Sequence, residues 1–245
     1  MDNSQNQSNL RTRAYKYLDL ISVIFTLVLV LSNIASSAKI ITWGISIGQV
    51  PLAFDAGTLF FPISYIFGDI LVEVYGYSNS RRVIWIGFIG LVFTSLMFLL
   101  IRILPGEAGW ASSGGQSAFN FILGGISTGG IVLASILGYL GGSFSNAAIM
   151  AVLKQATHGK LLWVRTVGST IVGELVDTAI FVAVASLTKI FPWELFWSLT
   201  LTNYIFKVAV EALFTPFTYW VTNRLKKDEQ LDAYSDLQNL TPLQF

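Results

Sequence analysis

Long apolar runs separated by short polar ones recur along the chain. Six are long enough to cross a hydrocarbon layer about 30 Å thick as helices. They cover roughly residues 18–38, 54–75, 83–104, 129–153, 165–187 and 195–223. Pro62 sits inside the second run, and the pattern predicts a kink there. Between the first two runs, residues 40–53 alternate in places (Ile41, Trp43, Ile45, Ile47) and contain Gly44, Gly48 and Pro51, which predicts a small hairpin. Residues 76–80 read as a turn. Residues 105–128 read as a Gly- and Ser-rich connection whose apolar piece, 118–123, lies on the membrane surface. In the fourth run Gly138 and Gly142 form a GxxxG, extended by Ser135, Gly141 and Ser145. That small face predicts close helix packing rather than ligand contact. The ends, 1–16 and 228–245, read as polar tails around a membrane domain at 17–227. The expected fold class is therefore all-α, a polytopic membrane protein of six helices.

Composition strengthens this picture. Hydrophobic residues make up 53% of the chain, charged residues 12%, and the mean hydropathy is +0.64. A soluble domain is about 25% charged. Cysteine is absent and His158 is the single histidine, so thiolate and His-rich metal sites and cysteine nucleophiles are excluded. No P-loop motif is present, so the chain does not itself hydrolyse ATP by that route. No cofactor and no nucleic-acid partner is expected.

Six crossings place both tails on one side. That side holds Arg11, Arg13, Lys16, Arg81, Arg82, Lys154, Lys160, Arg165, Arg224, Lys226 and Lys227, against Lys39, Arg102 and Lys189 on the other. The positive-inside rule then makes both termini cytoplasmic.

The charges inside the runs carry the candidate chemistry. Glu174 and Asp177 lie near the middle of the fifth run, on one face at a spacing of three. An ionisable group at the centre of a bilayer costs at least about 2.5 kcal/mol on insertion scales and marks a ligand or ion path by default. The plainer alternative is a buried clamp that pairs with a cation on another helix. Lys207 and Glu211 occupy the same depth in the sixth run. Lys207 can neutralise one carboxylate, with Glu211 nearest in sequence, which leaves at least one of Glu174 and Asp177 without an evident cation. Asp69 and Glu73 share a face nearer the cytoplasmic end of the second run, with Arg81 and Arg82 as their expected partners in a gate or charge cluster. Asn33 and Lys39 lie toward the outside.

Paired carboxylates can also do acid–base chemistry, so an intramembrane enzyme is an alternative. Against it, the GxGD pattern of intramembrane aspartyl proteases is absent (Phe67-Gly68-Asp69 comes nearest), and no serine has an assignable base. A carrier is the better reading.

The segments FFPISYIFGDILVEVYGYSNSRRVIWIGF (60–88), LKQATHGKLLWVRTVGSTIVGELVDTAIF (153–181) and NYIFKVAVEALFTPFTYWV (203–221) resemble the queuosine-precursor transporters of the vitamin uptake transporter group. The resemblance runs from about residue 33 to 227, in the same order and spacing. It implies a six-helix inner-membrane protein that imports 7-cyano-7-deazaguanine (preQ0) or preQ1 for tRNA modification. It also implies likeness to the substrate-binding subunits of energy-coupling-factor importers, which take other heterocyclic vitamins through an energy-coupling module. The AxxxA docking pattern of those subunits is not clear here.

A guanine-like edge offers a ring N–H and an amino group side by side, and one carboxylate accepts both. The ring carbonyl needs a donor, for which Lys207, Asn33 and Lys39 are candidates. The ring's flat face suits an aromatic neighbour, with Trp43, Phe61, Tyr65 and Tyr204 as candidates. The expected substrate set is thus Glu174, Asp177, Lys207, Glu211, Asn33 and Lys39.

Overall fold

The computed structural model describes residues 15–47, 50–127, 129–189, 193, 196–235 and 237–243. The segment with Arg11 and Arg13, and the expected turn at 191–194 apart from Trp193, lie outside them. Helices dominate: α1 (Leu18–Ala38), α2 (Phe61–Ile103), α3 (Ala108–Ser112), α4 (Gly115–Ser127), α5 (Gly129–Ala156), α6 (Leu162–Leu187) and α7 (Phe196–Glu229). To the all-α expectation the fold adds an antiparallel hairpin, β1 (Ile40–Ile47) and β2 (Val50–Asp55), pairing Ile41 with Phe54 and Ile47 with Val50.

Among the described residues four helical stretches are long and apolar enough to cross a membrane: Leu18–Ala38, Ile63–Ile103, Gly115–Ala156 and Leu162–Leu187. The protein is an integral, multi-pass membrane protein. The second stretch is not one straight rod. At Gly76 the backbone leaves the helix (φ 81°, ψ 167°). Ser64, Tyr65 and Gly68 before it and Ser80 and Ile84 after it line the same cavity. A straight helix would hold Ser64 and Ile84 about 30 Å apart. The chain therefore doubles back, and α2 is a helical hairpin with arms at 61–75 and 77–103. Glycine tolerates that positive φ without the Cβ penalty.

Several sequence expectations are corrected here. The turn expected over 76–80 is the single residue Gly76, so Arg81 and Arg82 belong to the second arm. Pro62 does not kink a helix interior. It occupies the first turn of α2, where its missing N–H would have had no partner anyway. The 105–128 connection contains α3 and α4. The latter packs on α1 at Ser37, whose hydroxyl donates to the Ile122 carbonyl (2.8 Å).

The small face of α5 packs as its glycines predict. It lies against α6, and a Cβ added at Gly142 would stand 2.5 Å from Asp177 Cβ and 3.1 Å from the Gly173 carbonyl. The polarity of the bundle is inverted relative to a soluble protein. Asp69, Glu73 and Glu174 are 0% exposed, while Ile89, Phe93, Leu213 and Trp220 face outward. Water-like groups are gathered inside and lipid-like groups outside, as a bilayer solvent requires.

The segment after α7 is not a free polar tail. It lies across the end of the bundle that carries Gly76. The Ala233 N–H donates to the Val74 carbonyl (3.2 Å), Tyr77 N–H to Ser235 Oγ (2.9 Å), Arg81 to the Thr241 carbonyl (2.7 Å) and Trp85 Nε1 to the Pro242 carbonyl (2.9 Å). Glu229 accepts from the Lys16 and Tyr17 N–H groups and from the Tyr75 hydroxyl.

Candidate functional site

The inward charges form two groups at different depths. In the deeper one Lys207, on α7, reaches between two carboxylates on α6. Its Nζ donates to Asp177 Oδ2 at 2.7 Å and stands 3.1 Å from Glu174 Oε2. The spacing of three in α6 places both carboxylates on the face toward α7, so one ammonium serves both. Neither Glu174 oxygen completes a hydrogen bond, although Lys207 and the Tyr65 hydroxyl are close. Asp177 is better satisfied, which leaves Glu174 with acceptor capacity to spare.

Asp69, on the first arm of α2, belongs to the same depth. Its Oδ1 accepts from Asn146 Nδ2 (3.0 Å), and its Oδ2 has no partner. Asn146 comes from α5, four residues past Gly142, where Gly173 lets α6 approach: a Cβ at Gly173 would meet Asn146 Cβ at 2.7 Å. Tyr65 and Asn146 both line a small, partly open cavity bordered also by Phe25, Ser64, Ser80 and Ser143. Asn146 Oδ1 and Ser80 Oγ, both buried, have no partner there.

The second group lies toward Gly76 and centres on Glu73. Arg165 grips it with two bonds, Nε to Oε2 at 3.1 Å and Nη2 to Oε1 at 2.7 Å. Lys226 Nζ adds a contact of 2.5 Å, and Lys154 Nζ lies 3.6 Å away. Lys154 also binds the carbonyls of Glu73 and Ala233 and the Asp232 carboxylate. Burial pushes the Asp232 carboxyl up, but hydrogen bonds from Lys154 and Lys226 outweigh it, so the group titrates below its ordinary value. Arg165 further donates to the Lys160 carbonyl and to Thr157.

Most of the residues singled out in the sequence meet inside the bundle, with different partners. Glu174, Asp177 and Lys207 form the expected centre. Lys207 does not pair with Glu211, because α6 presents two carboxylates to it. Glu211 is buried with neither oxygen hydrogen-bonded. Asp69 and Glu73 are not partners of Arg81 and Arg82. Their spacing of four splits them between the two depths, Arg81 holds the C-terminal segment, and Arg82 is exposed. Asn33 is not beside the carboxylates: it accepts from Ser135 Oγ (2.5 Å) and ties α1 to α5. Lys39 is exposed at the end of α1. The side chains of Trp43 and Phe61 lie outside the described residues.

Asn146 and the clamp from Arg165, Lys154 and Lys226 are additions from the structure. A lone Asn on the glycine face of an apolar helix was a usable signal for the first. In the sequence Arg165, Lys154 and Lys226 count only toward the cytoplasmic side.

A buried ammonium flanked by two carboxylates, with Tyr65 reaching from the cavity wall to Glu174, offers acceptors for the donor groups of a small polar molecule. Among the described residues no set of three His, Asp or Glu side chains is placed to hold a metal ion.

The profile of a family described as putative vitamin uptake transporter matches residues 55–221. A probable queuosine precursor transporter of Bacillus subtilis (strain 168) is 30% identical over 175 residues, covering 71% of this chain and 72% of that protein. A queuosine precursor transporter of Escherichia coli (strain K12) is 26% identical over 208 residues, covering 83% and 85%. A probable queuosine precursor transporter of Haemophilus influenzae is 25% identical over 179 residues, covering 71% of each. No solved structure matches the chain. Both groups of inward charges except Lys226 and Asp232 fall inside the matched segment, and the chain belongs to the putative vitamin uptake transporters, a family of transporters and not of enzymes.

Proposed function

We propose that the protein imports a queuosine precursor, 7-cyano-7-deazaguanine or its aminomethyl counterpart preQ1, across the inner membrane for tRNA modification. The observation that carries this reading is Lys207 held between Glu174 and Asp177, with Tyr65 close to Glu174 and also lining the cavity with Asn146. In this reading Glu174 accepts the adjacent N–H groups of the guanine-like edge, because its oxygens are the less satisfied of the α6 pair. Lys207 is the donor for the ring carbonyl, and Asp177 keeps Lys207 charged and oriented. Tyr65 and Phe25 give the ring an aromatic wall. The named substrates of the relatives support the same ligand class.

The chain crosses the bilayer six times, twice through α2 and once through α7, with both termini cytoplasmic. The support is the double-back at Gly76 and the excess of basic residues on one side. The Glu73 group then lies on the cytoplasmic side and forms the inner closure.

The test is uptake of labelled 7-cyano-7-deazaguanine into cells lacking their own transporter, with binding to purified protein alongside. Glu174→Gln replaces an acceptor by a donor, and affinity should fall roughly tenfold or more with folding retained. Wild-type protein that neither binds nor accumulates the compound overturns the reading. A folded Glu174→Gln protein that binds like the parent removes Glu174 from the ligand.

A further inference from the structure

Glu211, expected from the sequence among the substrate residues, is given no ligand contact in the transport reading above. It lies one turn past Lys207 on α7, is 2% exposed, and has no hydrogen-bond partner at either oxygen. Its own-helix cation, Lys207, is spent on α6. The groups facing it from the helices packed on α7 are Asp69 and Tyr65 from the first arm of α2 and Glu174 from α6, none of them a cation. Asp69 itself has an unpartnered oxygen and a neutral partner, Asn146, at the other. The neighbouring cations Arg165, Lys154 and Lys226 are engaged by Glu73 and Asp232 toward Gly76.

Two uncompensated carboxylates do not coexist as anions in such a site, because burial of an unpaired charge costs several kcal/mol per ion. Something positive must accompany them for part of the transport cycle. A metal ion needs several convergent ligands, and no group of three His, Asp or Glu side chains that could hold one occurs among the described residues. A proton needs one oxygen.

We propose that Glu211 carries the coupling proton for uptake, taking it from the outer side and passing it through Asp69 toward the Glu73 and Arg165 group. This rests on the transport reading above. One proton joins the Glu211 carboxylate as the ligand enters and leaves it on the cytoplasmic side, so the carboxylate is regenerated each cycle. Asp69 suits the relay because it neighbours Glu211 and its Oδ2 has no hydrogen-bond partner. A neutral ligand carried with one proton moves one positive charge inward, so both a pH gradient and an inside-negative potential drive it.

The test uses purified full-length protein in liposomes with labelled 7-cyano-7-deazaguanine as probe. Without a gradient, wild-type, Glu211→Gln and Glu211→Asp proteins should all exchange the probe. With the lumen one pH unit more alkaline, wild type should accumulate it up to about tenfold, the limit for one proton per ligand. A protonophore should abolish that accumulation, Glu211→Gln should lack it, and Glu211→Asp should recover part of it. Infrared difference spectra, which need no substrate, should show a protonated-carboxyl carbonyl band in wild type that Glu211→Gln lacks.

Exchange without gradient-driven accumulation in wild type overturns the coupling while leaving the carrier intact. Gradient-driven accumulation that persists in Glu211→Gln assigns the proton elsewhere and overturns it too. Wild type that does not exchange the probe removes the carrier reading and the coupling with it. The infrared band then decides separately whether Glu211 holds a proton.

Discussion

Lys207 shows how much a single residue sets at this depth. One ammonium compensates two carboxylates on α6, so its loss uncovers both at once. Lys207→Met should cost about 3–5 kcal/mol, the scale for breaking a buried ion pair by removing one partner. Thermal unfolding in detergent checks this, and the double variant Lys207→Met/Asp177→Asn should recover part of the loss because it removes one stranded charge. An unchanged midpoint for Lys207→Met would mean that Asp177 and Glu174 are compensated in another way. Arg165 poses the same problem at the other depth. Its planar fork makes two bonds to Glu73, which a lysine cannot reproduce, so Arg165→Lys should lower stability and transport together rather than act as a neutral exchange.

Among the elements, α5 and α6 carry the most demanding contact. Gly142 has no room for a side chain, since its Cβ would press on Asp177 Cβ at 2.5 Å and on the backbone at Gly173. Gly142→Ala should cost about 1–3 kcal/mol by overpacking and also shift Asp177 away from Lys207. The control is Gly124→Ala on α4, where an added Cβ would meet nothing within 4 Å and melting should be unaffected. Equal melting of the two variants would show that α5 and α6 are not packed this closely. Gly76 is demanding for another reason. Its φ of 81° places an L side chain in strain, about 1–2 kcal/mol for a single residue, so Gly76→Ala should loosen the hairpin formed by α2.

At the scale of the molecule, two features organise the bundle: the doubling of α2 and the C-terminal segment laid across the Gly76 end. Reporter fusions after Leu104 and Lys189 should read external, and fusions after Ser80 and Gly159 cytoplasmic. A cytoplasmic reading after Lys189 would undo the six-crossing arrangement. Deleting residues 231–245 should lower thermal stability and speed proteolysis near Gly76, because Arg81, Trp85 and Lys154 lose their partners there. Protease mapping of the purified protein checks it, and an unchanged digestion pattern would show that the segment is dispensable.

The sequence by itself determined the solvent of this protein and much of its wiring. Apolar runs set by bilayer thickness, small residues at helical spacing on α5, and ionisable groups too costly to face lipid are local properties, legible one segment at a time. So was the prediction that Glu174, Asp177 and Lys207 meet, because depth alone brings them level. Partner choice was not legible. Periodicity leaves helix rotation open, and rotation decides whether Lys207 turns to Glu211 on its own helix or to the pair across the interface. Asp69 and Glu73 share a helical face, yet packing against Asn146 on one side and Arg165 on the other divides them between two sites. The C-terminal segment read as a polar tail because its composition is polar. Only the tertiary structure brings it beneath the unpaired backbone and basic side chains at Gly76, which hold it there.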